Sequence, residues 1–147
     1  MLKFSLLAVT LLLFSIGLSA CGDGGIADVT PFTGATLLQN NKNTQDSFEK
    51  SLKGVKQGKL VTYAIKDDPA TIKTHYENQF REKNWTDHHE AIAESSKALE
   101  SQKGWALAYT RGNETVSLVL TPNNSTTASL YPEATGQNIL TIISAAK

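Results

Sequence analysis

The sequence predicts an α+β domain, a small antiparallel sheet of about four to five strands packed against one main helix. Three observations predict it. "KLVTYAIK" (59–66) puts Val61, Tyr63 and Ile65 on one face, the period of a half-buried strand. "DDPATIKTHYENQFREKNW" (67–85) then places Ile72, Tyr76 and Phe80 four residues apart, which makes one apolar stripe on a helix. "GWALAYT", "RGNE" and "TVSLVL" (104–120) read as strand, turn and strand, a β-hairpin. Strands around one helix, with hairpin neighbours, favour an antiparallel sheet covered on one side.

The elements follow in order. "PFTGATLLQ" (31–39) is punctuated by Pro31 and Gly34 and holds a short strand at 35–38. In "NTQDSFEKSLKGV" (43–55), Phe48, Leu52 and Val55 fall at helical spacing, with Asp46 and Glu49 as N-terminal caps and Gly54 as the stop. A polar loop fits that segment equally well. The main helix has a clear start. Asp68 caps it, Pro69 suits the first helical position, and the two acids favour the positive end of the helix dipole. Asn84 suits a left-handed stop, and Trp85 after it anchors the chain to the core.

"TDHHEAIA" (86–93) reads as a short polar strand, and "AESSKALESQK" (93–103) has helical composition before Gly104. In the hairpin, Trp105, Leu107 and Tyr109 share a face, as do Val116, Leu118 and Leu120. "TPNNSTTASLYPEATGQ" (121–137) is loop-rich, and "NILTIIS" (138–144) closes the chain as a last strand.

The first residues carry an address. Lys3 precedes an uncharged apolar run over 4–18, shorter than the roughly 20 residues a spanning helix needs. A positive start, a short apolar run and small residues before a break are the parts of a secretory signal. Leu18 does not suit the −3 position of an ordinary cleavage site before Cys21. "LSAC" (18–21) instead resembles the lipobox of bacterial lipoproteins: an aliphatic residue, two small ones and a cysteine. The resemblance implies a diacylglyceryl group in thioether linkage on Cys21, cleavage before it and acylation of the freed amine. Two or three chains then hold the protein where one would bind only marginally.

The expected organisation is a signal peptide at 1–20, a lipidated tether at 21–30 and one α+β domain at 31–147. Gly22 after the cysteine resembles lipoproteins sent on to the outer membrane, periplasmic face; in a single-membrane cell the same signal implies the outer face of the plasma membrane. The domain itself resembles small bacterial lipoprotein domains of uncharacterised role. Its "P-x-x-G-A-T" at 31–36, Asn84 with Trp85, and Gly104 with Trp105 carry that likeness, although many such domains have glycine at the position of Asn84.

Composition narrows the function. Without residues 1–20, which hold Lys3, 13 basic side chains face 14 acidic ones, a formal net charge of −1. A near-neutral chain has no broad pull toward nucleic acid. The densest basic stretch, "EKSLKGVKQGK" (49–59), is interrupted by Glu49 and apolar residues. Cys21 is the single cysteine, so no disulfide is expected and the fold rests on its core.

Chemistry has few candidates. On a strand, His88 shares a face with Glu90 and His89 with Asp87, and His75 reaches in from the helix. Yet no H-E-x-x-H spacing exists and solvated edge histidines explain the pairs, so no metal is expected. There is no G-x-S-x-G elbow, phosphate loop or dinucleotide fingerprint, and no catalytic residue or cofactor is assigned. Asp67 and Asp68 suit a helix start better than a glycosidase pair. Trp85, Trp105, Tyr63, Tyr76, Phe80 and Tyr109 have the periodicity of a core, with a ligand pocket as the alternative.

Leu130 and Tyr131 break a polar loop and are the candidate contact for a partner, unless Tyr131 folds back onto the sheet edge. The expected function is a lipid-anchored envelope protein that binds another envelope protein without catalysis. A ligand- or metal-binding lipoprotein is the rival, and a small hydrolase is a weaker one.

Overall fold

A computed structural model of the chain describes residues 29–40, 42–123 and 130–147. The strands are β1 (Thr36–Leu38), β2 (Gln57–Ile65), β3 (Thr86–Asp87), β4 (Trp105–Arg111), β5 (Glu114–Pro122) and β6 (Asn138–Ala146). The α-helices are α1 (Lys42–Ser51), α2 (Pro69–Glu82) and α3 (Ala93–Glu100). The strands form one six-stranded sheet in the order β1-β2-β6-β5-β4-β3, with antiparallel pairing throughout. The α+β class and the antiparallel sheet agree with the sequence. The count of four to five strands and one main helix is corrected to six strands and three helices among the described residues.

α2 forms as its sequence dictates. Asp68 Oδ2 accepts from the backbone N–H groups of Ala70 and Thr71 at 3.0 and 3.2 Å, and Pro69 opens the first turn. At the other end Asn84 takes a left-handed φ of 56°. The N–H of Trp85 then donates to Phe80 O at 3.0 Å and that of Asn84 to Arg81 O at 3.1 Å. These are the two bonds of a Schellman stop. Its hydrophobic contact is present too, with the Phe80 and Trp85 rings edge to face at 5.4 Å.

The stripe of Ile72, Tyr76 and Phe80 enters the main core with Trp105, Leu107 and Leu118 of the sheet, all at most 5% exposed. Burying side chains of this size stabilises by about 1.5–3 kcal/mol each. Phe80 also stacks on Tyr109, with centroids 4.3 Å apart and planes 10° off parallel. The preceding chain is clasped to the same helix. Thr30 N–H donates to Gln79 Oε1 and Thr30 O accepts from Gln79 Nε2, both at 3.0 Å, and Phe32 N–H donates to the Tyr76 hydroxyl oxygen.

The opposite face of the sheet is covered as well, where the sequence led us to expect cover on one side only. Ala106, Ala108 and Val119 point away from α2, and their small side chains let Ile92 and Leu99 pack close. The 86–93 segment is a strand only at β3; from His89 it curls into a 3-10 turn (His89–Ile92) and continues as α3. α1 lies on this second face too, against β2. A Cβ on Gly58 would stand 2.2 Å from Leu52 Cδ2 and 3.1 Å from Phe48 Cζ, so the end of the helix packs directly over Gly58 and a larger residue there would force the Leu52 side chain to turn away. Asp46 and Glu49 lie inside α1 and do not cap it, because the helix begins earlier, at Lys42.

Candidate binding edge

The site begins where β1 stops. β1 pairs with β2 only at Thr62, Tyr63 and Ala64, while β6 pairs with β2 along its whole length. Residues 57–61 of β2 therefore have no strand on their outer side among the described residues. β1 ends because its chain is drawn out of the sheet. Asn40 Oδ1 accepts from Thr62 Oγ1 at 2.6 Å and from the Tyr131 hydroxyl at 3.1 Å, and α1 starts just beyond. Those two bonds hold the chain over the second face, where Phe48 is 3% exposed beneath it.

The departure leaves a cleft of about 680 Å³ between the end of β1, α1 and the outer side of β2. Leu37, Leu38, Leu60, Val61 and Tyr63 supply its apolar wall; Gln45 of α1 and Lys59 supply polar groups. Leu37 is 66% exposed, an unusual place for a leucine on a strand. Lys59 marked this edge in the sequence, since a lysine inside an apolar strand is a common guard of open edges. The extent of the opening could not be read there, because it depends on bonds to Asn40 from residues far along the chain.

The residues singled out from sequence are placed as follows. Cys21 lies outside the described residues. Leu130 and Tyr131 are separated: Leu130 is 41% exposed, whereas Tyr131 is 2% exposed and packs with Leu38, Ala64, Ala134 and Ile139. An exposed Leu–Tyr pair is thus not what the chain presents, because the Tyr131 hydroxyl bonds to Asn40 and its carbonyl accepts from Asn123 Nδ2 at 3.1 Å. Tyr131 has folded back to cap the sheet.

The histidine pairs form with the expected partners, at 3.4 Å between His88 Nδ1 and Glu90 Oε1 and 3.0 Å between His89 Nδ1 and Asp87 Oδ2. His75 does not join them; its neighbours are Phe32, Tyr76 and Gln79. His89 lays its ring edge on Tyr109, and its Nε2 is buried without a partner, a poor placement for a proton carrier. Among the described residues no group of three or more His, Cys, Asp or Glu is placed to hold a metal.

Compared with family models, curated proteins and solved structures, the chain matches none.

The large aromatics fill the core. Trp105 Nε1 donates to Pro69 O at 2.8 Å, and Arg111 lies over the Trp85 ring at 4.5 Å. Burial pushes the Tyr76 phenol up to about 12, against the lowering effect of its bond from Phe32. Burial likewise raises Tyr109, reinforced by the carboxylates of Glu77 and Asp87, and raises Tyr131. At neutral pH these phenols are uncharged and serve packing and hydrogen bonding.

Proposed function

We propose that this chain is a lipid-anchored envelope protein whose domain binds another envelope protein and performs no catalysis. The observation that carries the binding role is the unfinished outer edge of β2. An open edge presents backbone N–H and C=O groups in register, a ready template for another chain. Here that template lies beside an apolar cleft and an exposed leucine.

The anchor follows from "LSAC" at 18–21, with lipid on Cys21 and residence at the outer membrane, or at the outer face of the plasma membrane in a single-membrane cell. Tethering to a surface raises the effective concentration of partners in the same layer, so modest affinity suffices there. A photo-crosslinking residue in place of Leu37, in intact cells carrying the lipidated chain, tests the proposal. A discrete adduct with another envelope protein supports it, and the absence of any adduct overturns it.

The cleft's volume falls in the range of small-ligand sites and favours one other reading, an apolar small molecule held there. A bound small molecule in native mass spectra, lost in Leu60→Glu, would select that reading instead.

A further inference from the structure

Charge around the open edge identifies the kind of chain that fits it. From residue 42 to residue 61 the sequence holds five lysines (Lys42, Lys50, Lys53, Lys56, Lys59) against Asp46 and Glu49, a surplus of three in a chain of zero formal net charge. All five lysines are exposed. None forms an ion pair with another described residue. The fold keeps the segment that carries this surplus beside the open edge. α1 starts beside Asn40 at the level of Thr62 and ends against Gly58, so it runs along the open half of β2. Lys59 lies in the cleft wall itself.

We propose that the partner contributes an extended, acidic segment that adds to β2 at 57–61 as a seventh strand, its apolar side chains in the cleft and its carboxylates among the lysines. The proposal rests on the binding role above. Two or three of these β2 residues turn both backbone groups outward, which offers about four to six main-chain hydrogen bonds. Leu60, on the face that α1 covers, then receives the apolar side chains of the added strand, and the alternate carboxylates fall on the other face, where Lys59 points.

A second copy of this chain fits less well. Antiparallel pairing of two such edges about the middle of the open stretch sets Lys59 opposite its own counterpart, and like charges directly opposite destabilise a sheet. An anionic lipid surface would engage the lysines but leave the β2 backbone to water.

The test uses the mature lipidated protein in neutral maltoside micelles with two acetylated octapeptides, one alternating valine and glutamate and one alternating valine and lysine. The glutamate peptide is expected to slow amide exchange at 57–61 at least tenfold, while the lysine peptide leaves it unchanged. Lys56→Glu together with Lys59→Glu, both exposed, is expected to weaken the glutamate peptide at least tenfold and to admit the lysine peptide.

Equal binding of the two peptides overturns the proposal, as does protection elsewhere with 57–61 unaffected. So does a free protein that is already dimeric and protected at 57–61. Phosphatidylglycerol vesicles that bind the lysines while neither peptide protects the edge would assign the charge to a membrane and also overturn it. If Leu37 crosslinks an envelope protein in cells but the glutamate peptide fails, the partner's chemistry is wrong and the binding role stands. If the peptide binds but Leu37 captures nothing in cells, the edge chemistry stands and the functional proposal falls.

Discussion

Asn40 and Tyr131, 91 positions apart in the chain, are joined by a 3.1 Å hydrogen bond in which the tyrosine hydroxyl donates to Asn40 Oδ1. The same oxygen accepts from Thr62 Oγ1 at 2.6 Å. One amide oxygen thus ties the end of β1, the middle of β2 and the segment before β6. It also decides where β1 stops, and so how much of β2 stays open.

Removing that oxygen should be costly. Asn40→Ala leaves the fully buried Thr62 hydroxyl and the Tyr131 hydroxyl without their acceptor, a loss of about 1–3 kcal/mol. Asn40→Asp keeps an acceptor and should lose less. Urea midpoints of the two variants check the order. In the same assay Leu130→Ser should match the parent, since Leu130 is exposed, whereas Tyr131→Ser should unfold at clearly lower urea. Equal midpoints for these last two would remove Tyr131 from the core.

Asn84 gives a prediction of opposite sign. Its φ of 56° is a conformation that glycine adopts without penalty and alanine does not. Asn84→Gly should therefore hold or slightly raise the thermal midpoint, and Asn84→Ala should lower stability by about 1 kcal/mol. A matching loss in both variants would mean that the asparagine side chain, not the backbone angle, stabilises the stop.

The main helix was legible because its signals are local. Asp68, Pro69 and Asn84 act within a few residues of themselves, and so do the pairs of His88 with Glu90 and His89 with Asp87. Strand alternation predicts those pairs, yet they also form in a chain that curls into a 3-10 turn after His88, because partners two residues apart can meet in either geometry. The open edge was not legible. Its length depends on Asn40 meeting residues 22 and 91 positions away. The lysine surplus was visible as letters, but its place beside the open half of β2 needed the course of α1. Cover on the second face was likewise hidden, since Ala106 and Ala108 look like weak strand residues until Ile92 and Leu99 are seen against them.

Alkaline pH should unfold the domain through its tyrosines. Tyr76 ionises near 10 when unfolded and at about 12 when folded, so between those values the folded chain retains a proton that the unfolded chain releases. Stability is therefore complete below pH 10 and falls as pH rises toward 12. Tyr109 and Tyr131, also raised by burial, add to the same slope. Urea midpoints at pH 9, 10.5 and 11.5 should decrease in that order, with a shallower decrease in Tyr76→Phe. A flat profile would show that these phenols ionise as freely in the folded state.

Phe80 tests the packing of the main core. Its ring is 2% exposed, stacked on Tyr109 and edge-on to Trp85. Truncation removes contacts to both and leaves a cavity that rigid strands on one side cannot close. Phe80→Ala should cost about 3–5 kcal/mol, and Phe80→Leu, which refills part of the volume, should cost less. A midpoint for Phe80→Ala equal to the parent would contradict the placement of α2 on the sheet.

Anchoring makes a chemical prediction that separates address from fold. Thioether formation needs a sulfur nucleophile, and serine offers an oxygen of much lower nucleophilicity at neutral pH. Cys21→Ser should therefore block lipid transfer, and a peptidase that requires the lipidated residue should leave the precursor uncut. The domain's fold should be untouched, because the clasp of Thr30 and Phe32 on α2 and the core beneath it are built by other residues. Intact mass of the membrane-extracted protein would show the parent starting at Cys21 with a diacylglyceryl group and the variant retaining residues 1–20. Thermal melts of the two should coincide. A parent that begins at another residue, without added lipid mass, would sink the lipoprotein assignment and leave the open edge of β2 to be explained in a free protein.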